Sequence, residues 1–295
     1  MFFNPVIYDM PLFRPPAEAY ASIIQATIGC SWNQCSFCEM YTSKNFRIKP
    51  EKEVFSDIKK LAQYHPDTRK VFIADGNAMV LSSNKILNIL SEIKKNFNKL
   101  QRVSAYALPK DIMPKSLEDL KEMRKHGLKL LYIGIETGDD ALLSMVNKGE
   151  TFKTTVEGIS KAHQAGIDTS IMIINGLGGR KFSSQHALNS ARIINALNPK
   201  FLSTLTLSLP FGVQHYQKRL GQSYEQQTLK ELFIELKLFI ENLDVHNVIF
   251  RSNHVSNNIT LEGTLSKDQA RLVNQLEYAI EKTPSHVLPE SPDML

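Results

Sequence analysis

Apolar positions along the chain keep a repeating beat: a short continuous apolar run, then a longer stretch with apolar residues every three or four positions. The first pattern is that of a strand buried on both faces, and the second that of an amphipathic helix. The run at 23–28 predicts a strand entering Gly29, and Pro50 opens a helix to about Tyr64 with Val54, Phe55, Ile58 and Leu61 inward. Residues 71–74 predict a second strand ending in Asp75-Gly76-Asn77-Ala78; Ser82 or Ser83 then caps a helix burying Ile86, Leu87, Leu90 and Ile93. A third strand at 103–108 is broken by Pro109, and Ser116 starts a helix stopped at Gly127. The fourth, 129–135, reaches Glu136-Thr137-Gly138, with one or two helices through Ala165 and a stop at Gly166. The fifth, 170–174, leads into Asn175-Gly176-Leu177-Gly178-Gly179-Arg180; a helix at 184–197 and a sixth strand at 201–209 follow.

Six strand and helix units in sequence imply an α/β fold with a parallel sheet and right-handed crossovers. Past Pro210 the beat changes. Thr228-x-x-Glu231 and Ser266-x-x-Gln269 read as capping boxes for two more helices, and between them 248–250 predicts an extra strand followed by the polar segment 251–258. The chain therefore divides into an irregular lead-in (1–20) packed against the body, a core (21–210), an extension (211–283) and a loose tail (284–295) with three prolines.

Composition narrows the class. A chain of 295 residues with 42% hydrophobic and 22% charged residues suits one large globular domain without the bias of disorder. No run approaches the roughly 20 apolar residues that span a bilayer, and the start lacks a basic leader, so the expectation is a cytoplasmic protein without membrane partners. A net charge of +5 falls short of a nucleic-acid footprint, since Lys and Arg sit on the polar faces of helices.

The candidate chemistry is concentrated in Cys30-Ser31-Trp32-Asn33-Gln34-Cys35-Ser36-Phe37-Cys38, which holds all 3 cysteines of the chain. Thiolates suit soft metals and clusters, and clustering of this kind is not needed for packing. A structural zinc site closes with four ligands, and the nearest histidine, His65, lies far downstream. The Cys-x4-Cys-x2-Cys spacing matches the start of a plant-type ferredoxin, but that cluster needs a fourth cysteine. A four-iron cluster with one iron open to a ligand remains.

With this loop at the end of the first strand, the chain resembles the radical S-adenosylmethionine (SAM) enzymes. One departure is the spacing, which in that superfamily is usually Cys-x3-Cys-x2-Cys. The resemblance covers about 20–210 and implies a partial (β/α)6 TIM-type barrel, with the C-terminal α/β extension over its mouth. It implies a 4Fe-4S cluster on Cys30, Cys35 and Cys38, shielded by Phe37, with SAM chelating the open iron. Asp75-Gly76-Asn77 stands where the family places a motif for the amino group of SAM, though Asp and Gly are also ordinary turn formers. The stretch from Tyr132 to Asp140, with Val146-Asn147-Lys148-Gly149, is similar to the elongator, methylthiotransferase and anaerobic coproporphyrinogen oxidase branch. There Glu136 would face SAM; the plainer alternative is a carboxylate paired with a lysine or a helix N-terminus.

The remaining candidates follow from position. Ser104 near the third strand's end, and backbone amides of Gly176, Gly178 and Gly179, would line the SAM pocket; the glycines lack the spacing and place of a dinucleotide loop. Tyr106, Arg251, Asn253 and His254 are the candidates for substrate. The resemblance implies that the protein reductively cleaves SAM to a 5'-deoxyadenosyl radical acting on a small polar substrate, with an electron donor such as flavodoxin or ferredoxin. The alternative is a non-catalytic iron-sulfur electron-transfer or metal-binding protein.

Overall fold

The computed structural model describes residues 5–289; the first residues of the lead-in and the end of the tail lie outside the described residues. In chain order the strands are β1 (Ser22–Gln25), β2 (Thr27–Ile28), β3 (Arg47–Ile48), β4 (Lys70–Ala74), β5 (Arg102–Tyr106), β6 (Leu128–Glu136), β7 (Asp168–Asn175), β8 (Phe201–Thr206), β9 (Val248–Ser252) and β10 (Leu261–Leu265). The helices are α1 (Glu51–Tyr64), α2 (Ser83–Asn96), α3 (Pro109–Ile112), α4 (Leu117–Lys125), α5 (Asp140–Met145), α6 (Phe152–Gln164), α7 (Gly179–Leu197), α8 (Gly212–Leu220), α9 (Leu229–Glu241) and α10 (Gln269–Lys282).

Eight strands make one sheet in the order β1-β4-β5-β6-β7-β8-β9-β10. The ladders of β4 with β1 and β5, of β5 with β6, and of β8 with β7 and β9 are parallel; β10 adds to β9 antiparallel. The α/β class and the mostly parallel sheet agree with the apolar beat.

Two compact units make up the chain. The first comprises Met1–Asn33, Cys38–Ile133 and Glu157–Thr169. Its core includes Ile24, Val103 and Leu131 from the sheet with Val54, Ile58, Leu90 and Ile93 from α1 and α2, all of them fully buried, while the buried Phe72 packs on the other face of β4 against Tyr106 and Tyr132. Each such side chain contributes about 1.5–3 kcal/mol of hydrophobic stabilisation. The second unit comprises Gln34–Phe37, Gly134–Val156 and Ser170–Leu295. There Ile171, Ile173, Leu202 and Phe250 are buried together with Ala187 and Ile194 of α7 and Leu236 and Ile240 of α9.

Two local expectations change, and one strand goes unforeseen. The run at 23–28 is not one strand: after Gln25 the chain leaves the main sheet, and Thr27 and Ile28 pair antiparallel with Ile48 and Arg47. This small ladder closes the loop that carries the cysteines. The capping box at Thr228 and Glu231 forms on both sides, whereas the one expected at Ser266 does not, and α10 starts after Asp268. Gln269 instead turns its side-chain amide to the carbonyls of Ile240 and Leu243, each at 2.8 Å. Strand β10 has only two apolar residues at its ends and escapes a pattern reading; pairing with β9 makes it a strand.

Candidate metal and cofactor site

The first unit holds the loop on the side of Cys30. Gly29 sits in the left-handed region at φ +74, and its amide donates to Asp75 Oδ2 at 3.1 Å. Gln25 Nε2 donates to the same oxygen at 3.0 Å, and Lys44 Nζ lies 3.3 Å from both carboxylate oxygens. Burial pushes the Asp75 carboxyl up, against the pull of the Lys44 ammonium and the Gly29 and Gln25 donors. The side chain is fully buried, so the structure gives it the loop's own backbone as partner. At Gly76 a Cβ would lie 2.5 Å from the Cβ and 2.6 Å from the Cα of Cys30. Only glycine permits this approach between the end of β4 and the first cysteine.

Asn77 is similarly occupied. Its carbonyl oxygen accepts from the amides of Met79 at 3.2 Å and Leu108 at 3.3 Å, and its amide donates to Ser31 Oγ at 3.0 Å and Asp111 Oδ2 at 2.5 Å. The residue thus ties the cysteine loop to the ends of β4 and β5. Ser104 is fully buried and donates toward Val71 O at 3.5 Å. Tyr106 stacks edge-on against Phe72, with ring centroids 5.1 Å apart, and burial holds its phenol well above the usual value.

The second unit holds Gln34–Phe37. Arg219 Nη2 donates to Cys35 O at 2.9 Å, Ser36 N donates to Val146 O at 2.9 Å, and the Lys148 ammonium lies 5.8 Å from the centre of the Phe37 ring. Within this unit Glu136 has φ +66, and the amide of Thr137 reaches back to Ile135 O at 2.8 Å. That is a three-residue turn of the rare positive-φ kind, costing about 1–3 kcal/mol in a residue other than glycine. Such strain persists only where its surroundings enforce it. Thr137 Oγ1 bonds His186 Nδ1 at 2.8 Å, Gly138 N donates to Ser190 Oγ at 3.1 Å, and Asp139 Oδ2 accepts from Gln185 at 2.7 Å and Asn189 at 2.6 Å. These bonds fasten the segment to α7. Glu136 itself is 8% exposed, and its Oε1 accepts from Lys148 Nζ at 2.7 Å. The lysine pairing considered from the sequence is present, and Oε2 accepts no hydrogen bond from a described residue.

The glycine run is packed rather than open. Residues 175–179 are all buried. Gly176 N donates to Glu235 Oε1 at 2.6 Å, Gly176 O accepts from Tyr224 Oη at 2.8 Å and from Gly179 N at 3.1 Å, and Leu177 O accepts from Tyr216 Oη at 3.1 Å. A side chain on Gly179 would run into the backbone carbonyl of Glu225. The amides of Gly176 and Gly179 are therefore spent within the protein. Glu235, Tyr216 and Tyr224, which set this loop, carry no local sequence signal, because they come from 37 to 60 positions downstream.

Arg251 stands exposed on β9, opposite Ser203 of β8. Ser256 N donates to His254 Nδ1 at 3.2 Å, and burial lowers the imidazole's affinity for a proton. Ser256 Oγ accepts from Thr206 N at 3.2 Å, and Asn257 donates to Thr204 O at 2.8 Å. Residues 254–257 are thus braced on the end of β8.

The donors suit a cluster. None of the three cysteines is in a disulfide, and all are half-exposed. Tyr41 Oη is buried and has no hydrogen-bond partner among the described residues. Burial raises that phenol first, and charge at Tyr106, Asp75, Cys30 and Cys38 raises it further, so the hydroxyl keeps its proton as a donor. Among the described residues no three of His, Cys, Asp and Glu converge as ligands of one ion; a cubane instead takes each thiolate on a different iron.

The fold is a mostly parallel α/β sheet, and the loop that follows its first strand and the short β2 carries three cysteines, none of them in a disulfide. The Radical SAM superfamily model matches residues 24–189, and the chain belongs to that superfamily. Membership implies a 4Fe-4S cluster and SAM as cofactors. The heme chaperone HemW of Bacillus subtilis is 26% identical over 151 residues, which are 50% of this chain and 38% of that protein. HemW of Buchnera aphidicola is 23% identical over 228 residues, 74% of this chain and 57% of its own length. The chain thus spans about half the length of these curated relatives. The structure of coproporphyrinogen III oxidase (HemN) from Escherichia coli, a radical SAM enzyme, superposes with a TM-score of 0.51 at 16% identity, over 68% of this chain and 46% of that one, and shares its fold. No helix among the described residues is long and apolar enough to cross a membrane.

Proposed function

We propose that this chain is a radical SAM enzyme in which Cys30, Cys35 and Cys38 hold a 4Fe-4S cluster and Glu136 holds SAM. When bound, the cluster and SAM supply a one-electron cleavage that yields a 5'-deoxyadenosyl radical, and a small reductant such as flavodoxin or ferredoxin supplies the electron. The observation that carries the reading is the strained, largely buried Glu136, whose Oε2 is left to a further partner while Lys148 holds Oε1. A carboxylate so placed accepts an ammonium or hydroxyl with its geometry already set. Asp75 and Asn77 act on the cofactor indirectly, by fixing the backbone around Gly29 and Ser31. Phe37, half-exposed beside the Lys148 ammonium, would shield the cluster.

The face of the sheet turned away from α7 and α9 supports a view of the substrate. Met172, Ile174, Phe201, Ser203, Leu205 and Ile249 alternate with buried neighbours, are half-exposed, and stand side by side in the β7, β8 and β9 registers, with the Arg251 guanidinium at the edge. Such a floor suits a molecule with an apolar body and a carboxylate or phosphate, less polar than the segment after β9 alone suggests. The names of the HemW relatives favour a second reading, a non-catalytic protein that binds a porphyrin through this floor.

Anaerobic reconstitution followed by reduction in the presence of SAM separates the two. The enzyme reading expects four-iron absorbance and release of 5'-deoxyadenosine, and expects Glu136→Gln to weaken SAM binding about tenfold with unchanged iron content. A reconstituted cluster that never cleaves SAM, together with stoichiometric heme binding, establishes the second reading instead.

A further inference from the structure

We infer that Arg219 is a positioning residue for the cluster: it fixes the main chain at Cys35 and raises the cluster's reduction potential. The inference rests on the proposal that the three cysteines hold a 4Fe-4S cluster. Cys35 stands five positions after Cys30, one more than the interval usual for these enzymes, so the loop reaches its second ligand on a longer tether. A longer tether leaves more conformations to be restricted, and an outside hold is the way to restrict them.

The structure supplies that hold within the second unit. Arg219 Nη2 donates to Cys35 O at 2.9 Å, and Ser36 Oγ in return donates to Arg219 O at 3.3 Å. The second bond satisfies one of the carbonyls that a helix leaves unpaired in its last turn, so loop and helix cap each other. Helix α8 is itself fixed. Tyr216, 2% exposed, donates to Leu177 O at 3.1 Å and stacks on Tyr224 at 4.9 Å, and Gln217 Nε2 donates to Tyr224 O at 3.0 Å. Gly221 ends the helix at φ +69, its amide closing on Gln217 O at 3.0 Å. Arg219 is half-buried and is therefore presented from a rigid element, with little rotamer freedom left to lose.

A guanidinium is charged at every accessible pH and donates through a planar fork. Held on the carbonyl of Cys35, it would place a fixed positive charge beside a cluster bound to that cysteine. Adding an electron makes the cluster and its thiolates one charge more negative, and a nearby fixed cation favours that form. The same residue thus orders the second ligand and eases the reduction on which SAM cleavage depends.

The test compares wild type, Arg219→Gln, Arg219→Lys and Lys218→Gln, each reconstituted anaerobically, by iron content, rate of cluster loss to a chelator, and a redox titration followed by electron paramagnetic resonance. Arg219→Gln is expected to disfavour the reduced cluster about tenfold, a shift of ~59 mV to more negative potential for a one-electron couple. Arg219→Lys keeps the charge and stays with the wild type in potential, but loses iron to the chelator faster because the fork is gone. Lys218→Gln removes an adjacent exposed charge and should leave both readouts unchanged. A wild-type potential and chelator rate in Arg219→Gln overturns the inference, as does an equal shift in Lys218→Gln. Should Arg219→Gln fail to fold, the chelator rate of Arg219→Lys decides, a wild-type rate overturning the positioning role. A wild type that takes up no four-iron cluster is a different outcome, the failure of the functional proposal itself.

Discussion

At the scale of single residues, the cysteine loop depends on close approaches that side-chain chemistry alone does not reveal. The backbone of Cys30 lies so near Gly76 that a methyl group cannot be inserted, and the atoms it would strike include main chain. Gly76→Ala is therefore expected to displace Cys30 and lower iron content after reconstitution several-fold, while far-UV circular dichroism stays that of the wild type; an unchanged iron content counts against this contact. His163 offers a pH dependence. Its Nε2 bonds Thr169 Oγ1 at 2.8 Å, and burial lowers its affinity for a proton more than Asp168 raises it. In the unfolded chain the imidazole protonates near pH ~6.5 while the folded one stays neutral. Stability from this group is thus present above that value and lost as the pH falls through it toward the folded value. Denaturation midpoints measured at pH 8 and pH 5 should differ more for the wild type than for His163→Gln.

At the scale of elements, the loop after β7 shows how a later helix sets an earlier strand end. Glu235 on α9 is 1% exposed and accepts from the buried amide of Gly176 and from Gln227 Nε2. Glu235→Leu leaves two buried donors unsatisfied, each at about 1–3 kcal/mol. A lower melting temperature of the apo-protein is the expected result, larger than that of Thr228→Ala, which removes one side of the α9 capping box at about 1 kcal/mol. Equal melting of the two variants would argue that the loop tolerates the loss of its anchor. From the sequence the glycines read as a place where backbone amides approach SAM, whereas in the structure the amides of Gly176 and Gly179 bond within the protein. The sequence does not say what approaches them, and the partners are Leu232, Tyr224 and the backbone of Glu225.

At the scale of the whole molecule, the sheet residues Ile24, Phe72, Leu131, Leu202 and Phe250 are fully buried by the protein's own side chains. Removing iron with a chelator is expected to leave the circular dichroism spectrum intact and to abolish tight SAM binding. A protein that unfolds on losing iron would show instead that the cluster is part of its folding energy, as zinc is in small metal-dependent domains.

The sequence by itself determined the parallel α/β order, because short apolar runs alternating with helical periodicity leave few other arrangements. It also determined the iron-sulfur class, since Cys30, Cys35 and Cys38 lie within one loop and their chemistry is local. The conformation of Glu136, its pairing with Lys148 twelve positions on, and the pairing of the buried Asp75 with Lys44 were decided only by the tertiary structure. So was the hold of Arg219 on Cys35, across 184 positions of chain. Periodicity and spacing record what neighbours along the chain require of each other. Which carboxylate oxygen no described residue reaches, and which cation stands over the carbonyl of Cys35, depends on side chains that only folding brings within hydrogen-bond reach.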